Sequence, residues 1–273
     1  MAAPKLTKAK ILESIRQMMS TDIDENMAVV LYEGDADRMF AEHYLNDENI
    51  FFFESPSGKT GLYELLRDTA DKPYADRIIA IRDRDYSDPA EYPPRLFAYD
   101  DCALEVMLLH HKEVRGKGAD IYQGEDKEDF PLRPMRRIAP FSVLRMLNEQ
   151  RRMNLNLKKG VMAGRNGQAG PEMELSFRCL NVSGFLEECT AKAAEFGDDD
   201  LWAITNGHDI CALLGAFSKM GANTLGEAGY RAFLFTTYRV SDFRSSALFR
   251  SLRQYGEEHG LSIVRVEENG EVS

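Results

Sequence analysis

Two short apolar runs that stop abruptly at acidic residues are what most limits the folds open to this chain. Met27–Tyr32 runs into Glu33-Gly34, and Arg77–Arg82 runs into Asp83-Arg84-Asp85. Such a run, bounded by polar residues, predicts a strand covered on both faces, as in a parallel sheet. Ligands of parallel sheets bind in the crevice outside the carboxyl ends of the strands. Carboxylates converging there would repel one another unless a divalent cation lay between them. Hard cations such as Mg²⁺ take carboxylates together with substrate phosphate oxygens. The residues alone therefore point to metal-dependent phosphotransfer or phosphodiester chemistry.

The first half of the chain alternates in the manner of βαβ units. Helices are predicted over Lys5–Met19, Asp35–Tyr44, Leu62–Thr69 and Ala103–His110. Strands are predicted at Met27–Tyr32, Ile50–Phe53, Arg77–Arg82 and Leu96–Tyr99, and a polar loop at Ser55–Gly61. The expectation is an α/β fold with a mainly parallel sheet flanked by helices. Beyond residue 112 the pattern loosens, with helices at Phe141–Gln150 and Phe185–Phe196 around a Gly-rich loop, Gly160–Gly170. Regular patterning resumes with strands at Leu201–Thr205, Arg231–Thr236 and Leu261–Val266 and helices at Asp209–Met220 and Asp242–Glu258. Three regions follow: 1–112 around the acidic site, 113–200 as a basic helical insertion, and 201–273 as a C-terminal α/β segment completing the core.

Charge is unevenly spread. The net charge is −11, yet residues 133–165 hold nine Lys or Arg against one acid, Glu149. That surplus of eight leaves −19 on the remainder. The arrangement suits a phosphate-binding stripe, with Arg151, Arg152, Lys158 and Lys159 as substrate contacts, or equally residues that solvate a helical insertion or meet an acidic partner protein. The four cysteines, Cys102, Cys179, Cys189 and Cys211, form no Cys-x-x-Cys pair, which argues against zinc and for a reducing compartment. No apolar run reaches the roughly 18–20 residues that span a bilayer. The lysine-bearing N-terminus lacks a signal core, so a cytoplasmic protein is expected.

Four motifs in order carry a resemblance: Tyr32-Glu33-Gly34-Asp35-Ala36-Asp37, Ile81-Arg82-Asp83-Arg84-Asp85-Tyr86, Leu104-Glu105-Val106-Met107-Leu108 and Asn206-Gly207-His208-Asp209. Over residues 27–220 the chain resembles the Toprim-like nucleases. In particular it resembles the family that includes the AriB effector subunit of the PARIS anti-phage system, related to OLD-type nucleases. The resemblance implies a Mg²⁺-dependent (or Mn²⁺-dependent) endonuclease of phage defence, controlled by an ABC-type ATPase partner. RNA such as tRNA is the substrate suggested by the nearer relatives, and DNA by the OLD-type ones. Glu33, Asp83 and Asp85 match the catalytic and metal-binding positions, with Glu105 and Asp37 as further ligands. In an extended segment residues two apart face one side, so Asp83 and Asp85 reach one ion while Arg84 points away. Whether the chain dimerises stays open, and the alternative to catalysis is a Toprim-like binding or scaffold subunit of an ATPase complex.

Each motif also has a plainer reading. Aspartates cap helices and close turns. A carboxylate in the apolar run around Glu105 needs a partner, which a metal or an arginine supplies. Asp37 favours the start of its helix through the dipole. Gly58-Lys59-Thr60 is not a nucleotide loop, because Phe53 stands where the first glycine belongs. Lys59 can still approach a phosphate from the same sheet edge. His208 can meet substrate or shuttle a proton, or simply complete the Asn-Gly turn. His110 and His111 close a helix favourably.

Overall fold

The structure, a computed structural model, describes residues 5–22, 26–46, 48–87, 91–124, 127–157, 160–161 and 173–265. The first elements are α1 (Lys8–Thr21), β1 (Ala28–Tyr32), α2 (Asp35–Tyr44), β2 (Ile50–Glu54), α3 (Gly58–Asp68), β3 (Ile78–Arg82) and β4 (Leu96–Ala98). Then come α4 (Leu104–His110), α5 (Lys112–Ile121), α6 (Leu132–Gln150), α7 (Met173–Cys179), α8 (Leu186–Ala193), α9 (Asp198–Ile204) and α10 (Gly207–Phe217). The hairpin β5 (Lys219–Met220) and β6 (Asn223–Thr224) precedes α11 (Gly226–Thr237), α12 (Val240–Phe243) and α13 (Ala247–His259). In space the chain forms a sheet unit from the described parts of 1–82, 89–99 and 240–273, and a helical unit from 83–88 and 100–239.

The sheet unit is α/β, with four parallel strands in the order β2-β1-β3-β4. Every residue of β1 and β3 is buried, as their apolar runs require. Val29, Leu31, Ile78 and Ala80 alternate onto one face, against Ile11, Ile15 and Met19 of α1 and Leu62, Leu65 and Leu66 of α3. An aromatic cluster of Phe40 and Tyr44 from α2 with Tyr99 and Phe243 forms a second part of the core. Strand β1 pairs with β2 on one side and β3 on the other, so the winding of the sheet reverses between β1 and β3.

The helical unit is built on α10, whose buried residues include Ile210, Cys211, Leu213 and Leu214. Helix α6 runs from Leu132 straight through Pro140, where the sequence predicted a start at Phe141. A helix-interior proline costs about 3 kcal/mol, and a buried stripe including Met135, Ile138, Ala139, Val143 and Leu144 offsets it. Two expected strands are helices. Leu201–Thr205 falls mostly in α9, and Arg231–Thr236 lies inside α11. Apolar runs of five or six residues do not distinguish strand from helix by periodicity. The deciding signals lay alongside: Asp198, Asp199 and Asp200 favour a helix start, and Tyr230, Leu234 and Thr237 are buried at helical spacing. Leu261–Val266 is not a ladder strand where described, forming only an isolated bridge from Val264 to Leu45.

Candidate active site

Glu33 follows the last residue of β1, at the switch point of the sheet. Its carboxylate Oε1 lies 3.3 Å from Nε of Arg82, the last residue of β3, whose side chain is fully buried while that of Glu33 is 27% exposed. An Arg82 Nη1 hydrogen bond to the Tyr63 hydroxyl, at 3.2 Å, and the Tyr92 ring, 5.8 Å from the guanidinium carbon, complete that nest. Gly58 opens α3 with φ +56°, and a Cβ there would stand 3.6 Å from Glu33 Oε2. The glycine thus supplies both the backbone conformation and the space beside the carboxylate. Lys59 sits in the first turn of α3, half-buried, on the edge where β2 ends.

Asp37 occupies a local role. Its Oδ2 accepts from Gly34 N–H at 3.0 Å and its Oδ1 from the Tyr99 hydroxyl at 2.8 Å. These bonds hold the start of α2 and tie it to the sheet.

In the helical unit, Asp83 Oδ1 accepts from Leu104 N–H at 2.9 Å, placing a negative charge at the first turn of α4. Asp85 has φ +51° and its N–H donates to Cys102 O at 2.9 Å. The chain therefore turns at Asp85, and strand alternation does not set the directions of the two aspartates, contrary to the extended segment expected. A left-handed aspartate is tolerated better than most residues but is still strained, by about 1 kcal/mol or more. The Tyr86 hydroxyl is buried without a hydrogen-bond partner among the described residues, and burial raises its pKa well above the ordinary phenol range.

Glu105 lies in α4, where Leu104–Leu109 are all buried, and its Oε1 is 2.8 Å from Arg231 Nε. An arginine therefore neutralises it. Gly207 makes room, since a Cβ there would fall 2.1 Å from Glu105 Oε2. The other residues of Asn206-Gly207-His208-Asp209 divide the work. Asn206 caps α10 by accepting from Asp209 N–H at 3.3 Å. Asp209 is fully buried and takes Arg145 in two bonds, Nε to Oδ2 at 2.6 Å and Nη2 to Oδ1 at 3.0 Å, plus Val161 N–H at 3.1 Å. Burial alone would lower the pKa of Arg145, but the hydrogen bonds and charge of Asp209 more than reverse this. His208 is exposed and meets Glu227 and Arg231.

The acids expected at the site thus divide between the units, Glu33 and Asp37 in one and Asp83, Asp85 and Glu105 in the other. Among the described residues no three His, Cys, Asp or Glu come together as a metal-holding group. The basic stretch is also less free than its count implies. Arg136 pairs with Asp129 and Asp198, Arg145 with Asp209, and Arg151 with Glu188. Arg152 is exposed with φ +51°, while Lys158 and Lys159 lie outside the described residues. Sequence reasoning missed Arg82, Arg145 and Arg231 as the partners of the acids. An arginine ending an otherwise apolar strand was the one available sign, for Arg82.

Among the described residues no helix is long and apolar enough to cross a membrane. No protein-family model matches the chain, and no curated protein matches it.

Proposed function

We propose that the chain is a cation-dependent endonuclease, cutting RNA in preference to DNA. One observation carries the reading. Glu33 and Asp83-Arg84-Asp85 follow directly on β1 and β3, the strands between which the winding reverses, and ligands gather at such carboxyl ends. The donor set suits Mg²⁺ or Mn²⁺ in kind, being carboxylate oxygen from partly open side chains. The four-motif resemblance assigns Glu33, Asp83 and Asp85 to the ion, whose chemistry would be to polarise a phosphoryl oxygen and activate water. Glu105 and Asp37 support the site indirectly, because Arg231 takes the first and the start of α2 takes the second. Within the chain, Glu33 is the group suited to exchange a proton with attacking water or a leaving oxygen. A place in phage defence, in the cytoplasm and under an ABC-type ATPase, rests on the four-motif resemblance.

A second reading has its own support: Glu33 and Glu105 are each already neutralised by an arginine. That favours a non-catalytic subunit with the same fold. Incubating the purified protein with total RNA and with plasmid DNA, in Mg²⁺, Mn²⁺ or EDTA, separates the two. Cleavage that requires the cation and is lost in Glu33→Gln supports the enzyme and identifies its substrate. Intact nucleic acid under every condition, with the ATPase partner added, favours the binding subunit.

A further inference from the structure

The last turn of α4 carries a histidine held from two directions. His110 Nδ1 lies 3.2 and 3.0 Å from the two carboxylate oxygens of Asp101. Its ring stacks on the indole of Trp202 in α9, with centroids 3.9 Å apart and planes 6° from parallel. Asp101 and Trp202 are buried, while 46% of the His110 side chain is exposed. All three residues belong to the helical unit. Its backbone joins the two supports, since Cys102 N–H, next to Asp101, donates to Trp202 O at 3.2 Å.

An ionised carboxylate only accepts, so Nδ1 bears a hydrogen whether the ring is neutral or protonated. The bond to Asp101 fixes one edge of the ring, and the indole covers one face. The exposed part of the ring is therefore the opposite face together with the Nε2 edge. Among the described residues no second aromatic ring packs on His110. Nor do three His, Cys, Asp or Glu gather there, among the described residues, to hold a metal ion.

A flat ring fixed on a buried indole, with its other face open, is a surface for a further flat ring. Every nucleobase has such a face, and unpaired bases are bound by stacking on aromatic side chains, histidine among them. We infer that the open face of His110 is a stacking platform for one unpaired base of a nucleic-acid strand. Because Asp101 and Trp202 already hold the ring, binding bears little of the ordering cost of a mobile side chain. Lys112, exposed in the first turn of α5, supplies a cation two residues along the chain for the adjoining phosphate. The choice of ligand rests on the nucleic-acid reading proposed above, but stacking needs neither metal ion nor cleavage.

The test titrates single-stranded oligoadenylate, oligouridylate and oligodeoxyadenylate, with a fully paired duplex beside them, into the full chain in EDTA. Affinity is read from the anisotropy of the labelled strand, and stacking from the His110 ring-proton resonances. At saturation at least one single strand moves those resonances upfield, through the ring current of the base, and the duplex does not. His110→Gln can still donate to Asp101 but offers no ring, and it weakens binding of that strand by about tenfold. His110→Phe keeps a ring on Trp202 and binds more tightly than His110→Gln, which a histidine needed only for its bond to Asp101 would not allow. The inference is overturned if no single strand shifts the His110 signals, or if His110→Gln binds like the parent protein. Shifted signals in a protein that cleaves nothing keep the platform and remove the nuclease. Cleavage without a shift does the reverse.

Discussion

Glu33 in the sheet unit and Asp209 in the helical unit are both carboxylates beside an arginine, and they are held in different ways. Glu33 is 27% exposed, with its Oε1 3.3 Å from Arg82 Nε. Asp209 is 1% exposed and accepts two bonds from Arg145 and one from Val161 N–H. A carboxylate enclosed and saturated in this way is part of the architecture, because removing it leaves a buried cation without a counter-charge. A partly open carboxylate with a longer ionic contact changes partners at smaller cost. The comparison thus separates an acid that holds the fold from an acid that stays partly open.

Breaking the enclosed pair should produce the largest effect. Asp209→Ala is expected to cost about 3–5 kcal/mol, read as a shift of the urea unfolding midpoint at constant slope. A loss below about 1 kcal/mol would show the pair to be no more than a surface contact.

Next comes the close approach of Gly207 to Glu105. Gly207→Ala pushes a methyl into the Glu105 carboxylate, and overpacking of this kind costs about 1–3 kcal/mol. Glu105→Ala in the same chain should recover part of that loss. A double-mutant cycle with zero coupling would mean that the clash is relieved elsewhere.

Glu33→Gln should be milder than Asp209→Ala, at about 1–3 kcal/mol, because the amide oxygen can still accept from the fully buried Arg82, which also keeps the Tyr63 hydroxyl and the Tyr92 ring. The same variant should lose cation-dependent cleavage entirely. Stability and activity thus part company at Glu33 and move together at Asp209. If Glu33→Gln unfolds the protein as readily as Asp209→Ala, the distinction between the two acids fails.

The smallest effect concerns thiols, all four of which lie in the helical unit. Cys179 is exposed. Burial raises the pKa of Cys102 and Cys211 well above the ordinary thiol range and pushes Cys189 up to about 11. Thiolates are the reactive species, so a thiol reagent at pH 8 should label Cys179 promptly and the others only as the unit opens. Asp209→Ala should speed labelling of Cys211, whereas Glu33→Gln should not.

The legible parts of the fold were those encoded locally. The apolar runs ending at Tyr32 and Arg82 identified β1 and β3, and Asp35–Tyr44 was predicted with the bounds that α2 adopts. The runs at 201–205 and 231–236 misled because a short apolar stretch suits a buried helix as well as a strand. The basic stripe misled differently. Counting charges between residues 133 and 165 says nothing of Asp129, Glu188, Asp198 and Asp209, which neutralise part of it from other segments. At the candidate site the acids were legible and their arginines were not.

The sequence by itself determined that acidic residues follow the ends of β1 and β3, because strand formation depends on neighbours within a few positions along the chain. Tertiary structure alone decided which acids are saturated and which stay partly open. Arg145 reaches Asp209 across 64 residues, and Arg231 is delivered to Glu105 by the meeting of α11 with α4. Coulombic attraction and desolvation depend on distance and burial in space, quantities that residue order does not contain.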